Sequence, residues 1–277
     1  MSLGLAVSLL DGPAAAGEGG LAWLRGLTGA DELALDEAAS EFPAARATRL
    51  LATVTDRIGD LEPVTADIIR GLTIGDRERL LLGCAMATFG PEIDVVARCP
   101  HEDCRELAEL SVSLADLLEP PPPSDRPREH RLDVATAGGV RELRFRLPTG
   151  ADQEAVAAQT LTDPTSGGAS LLDRCLIAQP AAGGGADDEI AVGDAIAALD
   201  PAFEWAAEAE CPACGRTVRT LLDGLALLSS GVSSSGRLYG EIDRVARAYH
   251  WSEAAILALP VSRRRRYLDL IAAEGPA

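Results

Sequence analysis

The chain contains no lysine and no asparagine, and all 25 of its basic residues are arginine. That bias reads as the imprint of a GC-rich genome, so the arginines are not by themselves a functional signal. Aromatic residues make up only 4% of the chain, and there are three histidines: His101, His130 and His250. No serine elbow, Walker loop or pair of carboxylates at a recognisable spacing accompanies them, which leaves little from which to build an active site. Positive charge is also short. A net charge of −18 and a pI near 4.5 repel a nucleic-acid duplex or an anionic bilayer, so neither is expected as a partner. The apolar start "MSLGLAVSLL" has no basic leader, is too short to span a membrane and precedes no clear cleavage site. The expectation is a soluble, cytoplasmic protein.

What is present suits a globular fold. At 277 residues the chain can bury roughly three quarters of its unfolded surface. Its 47% apolar and 25% charged content argue against disorder. Residues 1–43 read as an N-terminal appendage and 44–277 as the main α+β body. Leu50, Leu51, Val54 and Ile58, then Val64, Ile68, Ile69 and Leu72, recur at helical spacing and predict two short helices. Thr73 with Asp76 three residues on, and Thr149 with Asp152, give two capping-box-like helix starts. Cys84 lies on an apolar stripe and is read first as a small buried hydrophobe. Cys175 falls in a helix expected around Leu171 to Ala178.

Three antiparallel hairpins punctuate the helices: "EIDVVARCP" with "RELAELSVSL", "HRLDVAT" with "VRELRFRLP", and "FEWAAEAECP" with "RTVRTLLDGL". The Pro-rich run 119–129 reads as a linker, and the Gly-rich insert 181–187 as flexible. The tail is helical, with Ile242, Val245, Ala246 and Tyr249 on one stripe.

The first and third hairpins carry the chemistry. Cys99 and Cys104 bracket one proline-started turn; Cys211 and Cys214 bracket another, with C-x-x-C spacing. The two regions form a weak internal repeat: strand, Cys-Pro, turn, Cys, strand. Two turns that each offer a pair of thiolates meet the tetrahedral demand of Zn2+, and four protein ligands would make the metal structural, not catalytic. His101 could replace one thiolate. Four reduced thiols without metal, or a redox C-x-x-C, are the alternatives, the latter without the βαβ setting such motifs use.

At this point the chain resembles a known family. "VTADIIRGLTIGDRERLLLGCAMATFG", the first CP-turn, "FRLPTGADQEAVA", the second CP-turn and "YHWSEAAILALPVSRRRRYLDLI" are similar, in that order, to the baseplate hub assembly chaperone family of T-even-type contractile phages, with relatives in phage-tail-like contractile injection systems. The resemblance runs from roughly Ala44 to Ala273, and the longer first turn departs from it. It implies a non-enzymatic structural or assembly protein whose partners are other baseplate or hub proteins, acting in assembly or retained in the particle. On this view Tyr249, Trp251 and Arg263, Arg264, Arg265 and Arg266 are candidate partner-binding residues; core packing and a solvated helix face are their bland alternatives. A zinc-ribbon regulator binding nucleic acid through Arg263 to Arg266, and a metal-dependent hydrolase, are the rival functions.

Overall fold

The computed structural model describes residues 4–12, 20–120, 127–136, 139–178, 186–232 and 235–274. It is an α+β fold in which antiparallel hairpins alternate with helices. The first half runs β1 (Leu5–Ser8), β2 (Leu21–Leu24), α1 (Gly29–Glu37), α2 (Pro43–Val54), β3 (Thr55–Ile58), α3 (Ala66–Gly71), α4 (Ile74–Phe89), β4 (Glu92–Arg98), β5 (Leu107–Ser113) and the short α5 (Leu114–Leu117). The second runs β6 (His130–Thr136), β7 (Gly139–Phe145), α6 (Gly150–Thr162), α7 (Pro164–Cys175), β8 (Leu176–Ala178), α8 (Ala186–Leu199), a 3-10 turn (Pro201–Glu204), β9 (Ala206–Glu210), β10 (Thr217–Leu221) and α9 (Gly224–Gly231). Three helices close the chain: α10 (Ser235–Tyr249), α11 (Glu253–Leu257) and α12 (Val261–Glu274).

The three expected hairpins form, pairing β4 with β5, β6 with β7 and β9 with β10. Alternation explains the cysteine-bearing pair: Ala108, Leu110 and Val112 point inward from β5 while Leu107, Glu109 and Ser111 point out. The described residues of the 1–43 run, 4–12 and 20–43, however, are not an appendage but part of the main body. β2 pairs with β3 as well as β1, and Val7, Leu24, Leu27 and Leu35 sit in the same core as Leu51, Leu80 and Leu82. Ile58 follows helical spacing in sequence yet lies in β3, because the chain leaves the helix at Thr55 to complete this sheet. The Gly/Ser stretch after Asp163 belongs to α7: Asp163 caps it with two N–H bonds, Pro164 opens it, and Gly167 lets it approach Thr160 of α6. Most of the 119–129 linker (121–126) and of the 181–187 insert (181–185) lies outside the described residues, and α8 begins at Ala186.

The architecture is doubled. Thr28-Gly29-Ala30-Asp31 recurs as Thr149-Gly150-Ala151-Asp152, 121 positions on, and the same offset relates β2–α1–α2–β3 to β7–α6–α7–β8 without a gap. At both helix starts the aspartate returns to the threonine as a full capping box. In each it also takes two bonds from an arginine: Asp31 from Arg25 at 2.6 and 3.1 Å, Asp152 from Arg146 at 2.6 and 3.0 Å. Each arginine further bonds the carbonyl near the end of the following helix pair, Thr53 for Arg25 and Arg174 for Arg146. A second element is doubled at an offset of 187 residues, α3–α4 matching α11–α12 from the caps Thr65 and Ser252 onward. The two repeats dock crosswise. The entry to α12 exchanges backbone bonds with the entry to α1 (Val261 to Leu27, Gly29 to Leu259), as that to α4 does with α6 (Ile74 to Pro148, Gly150 to Leu72).

Candidate metal centre

The two cysteine hairpins lie against each other, one from each half, β5 on β9 and β4 on β10. Their inward residues make a small core of their own: Ala108, Leu110 and Val112 with Ala207, Val218 and Leu222. At its end sit the four thiols. Both turns close in the same way. The N–H of Cys99 bonds the carbonyl of Glu106, and the N–H of Cys211 that of Arg216. The residue after the second cysteine is left-handed in each, Arg105 with φ of 59° and Gly215 with φ of 70°.

The ligand atoms of Cys99, Cys104, Cys211 and Cys214 all lie within 4.8 Å of one another. The Sγ atoms of Cys99 and Cys214 are 3.8 Å apart, and those of Cys104 and Cys211 3.6 Å. Metal–sulfur bonds of about 2.3 Å at tetrahedral corners give edges of about 3.8 Å, so the donor set fits a tetrahedral thiophilic ion. Both pairs are at non-bonded distance, and all six cysteines are free thiols. Cys99 and Cys211 are buried, while Cys104 and Cys214 are partly accessible.

His101, the alternative fourth ligand, is not in the cluster; its carbonyl instead accepts from Cys104 and Arg105 to shape the turn. Nor does Cys211-x-x-Cys214 open a helix, as redox motifs do, since it joins two antiparallel strands. Arg216 was missed in sequence. It pairs with Asp103 of the opposite turn, and its guanidinium beside Cys214 holds that thiol down to about 6. It therefore ties the two turns and places positive charge beside the Cys214 sulfur. Cys84 and Cys175 behave oppositely, buried in apolar cores where desolvation pushes each up to about 12.

The C-terminal candidates divide. Tyr249, Trp251 and Tyr267 form a half-buried aromatic trio with ring centroids 5.0–5.3 Å apart. Arg263 and Arg266 are exposed. Arg264 is not a surface residue: it is 0% exposed and clamped between Glu32 and Glu241. Arg265 is half buried, donating to the Gly231 carbonyl at 2.6 Å with its guanidinium over Phe89. Helical geometry imposes this split, because one turn cannot send four successive side chains to one face.

An open groove of about 700 Å³ runs between the start of α2 and helices α6 and α7. Its walls include Phe42, Val156, Leu161 and Leu171 and contain no histidine or cysteine. Among the described residues no helix is long and apolar enough to cross a membrane. The class defined by fold and site is an α+β protein with a four-cysteine cluster between paired hairpins. Set beside known proteins, the chain matches no family model, no curated sequence and no solved structure.

Proposed function

We propose that the four cysteines bind one structural zinc ion and that the protein is a non-enzymatic structural or assembly component of the baseplate of a contractile phage tail-like injection system. The observation that carries the zinc reading is the sulfur geometry, four Sγ atoms with edges of 3.6 and 3.8 Å supplied by two hairpins. Four thiolates fill a tetrahedral shell and leave no place for water or substrate, which favours a clamp over a catalyst. The ion would join residues more than a hundred positions apart, one pair from each half of the doubled chain. The setting in a baseplate rests on the resemblance of the helix-entry, CP-turn and C-terminal motifs. Its partners are then other baseplate or hub proteins. The surfaces offered to them are the Tyr249–Trp251 edge and the exposed guanidinium groups of Arg263 and Arg266.

Two measurements test this. Elemental analysis of the purified chain should give about one zinc, and a visible thiolate-to-iron absorption would replace zinc with iron in the same site. Mass spectrometry of purified contractile particles and of their assembly intermediates should find the chain in one or both. Its absence from both would remove the baseplate reading and leave the zinc clamp standing.

A further inference from the structure

The doubled architecture leaves one helix face bare. Arg77, the fourth residue of α4, and Arg264, the fourth of α12, occupy matching places in the second repeat. Each lies over the first glycine of the helix it crosses, Gly150 for Arg77 and Gly29 for Arg264, and both are buried. This register sets Asp76, Arg79 and Gly83 of α4 against Arg263, Arg266 and Leu270 of α12. Steps of three and four residues place each set on one stripe of its helix.

On α4 this stripe is covered by extended chain. Asp76 accepts the N–H groups of Leu10, Asp11 and Gly12, just past β1. Arg79 donates from Nε to the Ser8 carbonyl at 2.6 Å, and from Nη2 to those of Leu118 and Glu119 at 3.1 and 2.9 Å. A Cβ built on Gly83 would sit 2.6 Å from a Val7 methyl, so this glycine lets the sheet come close. Asp76 and Arg79 are buried as a result. On α12 the matching residues face outward: Arg263 and Arg266 are exposed, and Leu270 is 54% exposed. The helix is held from its other side, through Val261, Arg264 and Leu268.

The repeated units follow one another in space. α6 docks on α2 and α3, α4 lies on β1 and β2, and α1 docks on α10 and α11. One end of this series is closed. Val192 and Ile196 of α8 pack with Phe145, the counterpart of Leu24, so α8 covers the β6–β7–β8 sheet as α4 covers β1–β2–β3. At the other end α12 repeats α4 without the sheet that covers it. We propose that the Arg263–Arg266–Leu270 stripe docks an extended, acidic segment of a different protein. Its backbone carbonyls meet Arg266 as that of Ser8 meets Arg79, and a carboxylate meets Arg263. Leu270 in place of Gly83 holds the segment further out and calls for a small residue above it. A second copy of the chain does not fit this role, because its sheets already carry α4 and α8 and two chains of net charge −18 repel each other. The proposal rests on the reading of Arg263 and Arg266 as contact residues and does not need the baseplate setting.

The test uses the full chain in its native cells. A photoreactive benzophenone residue replaces Leu270 and, in a control, the exposed Ile190 of α8. Irradiation and peptide mapping then identify the captured segment. The expected capture is a strand carrying a carboxylate, from a protein other than this one, and missing from the control. Arg266→Glu changes an exposed residue and leaves the core intact. It should cut the cross-linking yield by about tenfold or more, since a charge-assisted hydrogen bond is lost, and an acid-to-arginine reversal in the captured strand should restore the yield. Capture of a second copy, of a helix or of nucleic acid, a yield no greater than at Ile190, or a yield unchanged by Arg266→Glu overturns the proposal. A captured strand from a protein outside contractile particles would instead remove the baseplate reading and leave this one standing.

Discussion

The helix entries at Thr28 and Thr149 are the same device in two places, while the arginines that cross above them are not balanced alike. Asp31 and Asp152 hold a threonine and an arginine with nearly equal distances. Above them Arg264 meets two carboxylates and Arg77 meets none in hydrogen-bond contact. A neighbouring position differs in the same way: Leu33 and Leu257 pack in an apolar cluster where the matching Glu154 and Arg70 form an ion pair. Backbone geometry and glycine clearance are therefore shared between the halves, whereas charge and polarity are set locally. The third entry, at Thr73, diverges further. Thr73 still caps, but Asp76 turns from the cap to accept the N–H groups of Leu10, Asp11 and Gly12. A helix start has there become the anchor of the chain's first hairpin.

The largest effect should come from cutting the tie between the halves. Chelation, or Cys211→Ser, should lower stability by on the order of 10 kcal/mol, enough to unfold or precipitate the chain. Circular dichroism with and without chelator reads this directly, and an unchanged melt would remove the clamp. Next come the twin aspartates. Asp31→Ala and Asp152→Ala should each cost about 3–5 kcal/mol, because each strands a partly buried arginine and two capping groups. If one variant is far milder than its twin under denaturant unfolding, the halves are not energetic equivalents.

The same aspartates set an acid limit. Burial raises the pKa of Asp152, but the Arg146 guanidinium and the N–H and hydroxyl of Thr149 outweigh it and hold the carboxyl down to about 2; Asp31 is lowered by the same kind of partners. A depressed carboxylate contributes its stability above its unfolded value near 4, and that stability is lost as pH falls toward 2. Both alanine variants should therefore show a weaker loss of stability across this window than wild type.

Asp200 works in the opposite sense. Burial, with the Asp76 carboxylate close by, pushes it up to about 7. A raised carboxyl is most favourable while protonated, so its contribution is lost as pH rises through 7. Asp200→Asn keeps an acceptor for the N–H of Gly75 and removes the charge. It should stabilise the chain by about 1–3 kcal/mol at pH 8 and by less at pH 5. Equal stability at both pH values would assign the ionised form no cost. The smallest effect compares the two turns: Arg105→Gly, giving Arg105 the residue type of Gly215, should gain up to about 1 kcal/mol in a denaturant titration with metal present.

The α+β class, the three hairpins, the Thr149 capping box and the four cysteines were legible because each is written in local pattern: alternation, cap spacing and Cys-Pro turns. Other features were not. Arg264 reads as one of four identical surface charges, and only the phase of α12 against α1 and α10 turns it inward. The run 1–43 reads as an appendage because strands β1 and β2 are four residues each, too short to declare a sheet whose third strand lies beyond two helices. The duplication left one clear mark, TGAD twice at 121 positions, but a four-residue identity gains meaning only once the matching hydrogen bonds are seen.

By itself, then, the sequence determined the donor atoms of the candidate metal site and the turns that hold them in pairs, since a Cys-Pro turn fixes its two sulfurs through its own backbone. Tertiary structure alone decided that the two pairs face each other, that Arg216 reaches Asp103 across the gap, and that one crossing arginine is neutralised while its counterpart is not. These are long-range juxtapositions. They depend on how two copies of one helix-and-strand unit dock crosswise, and local spacing carries no record of that docking.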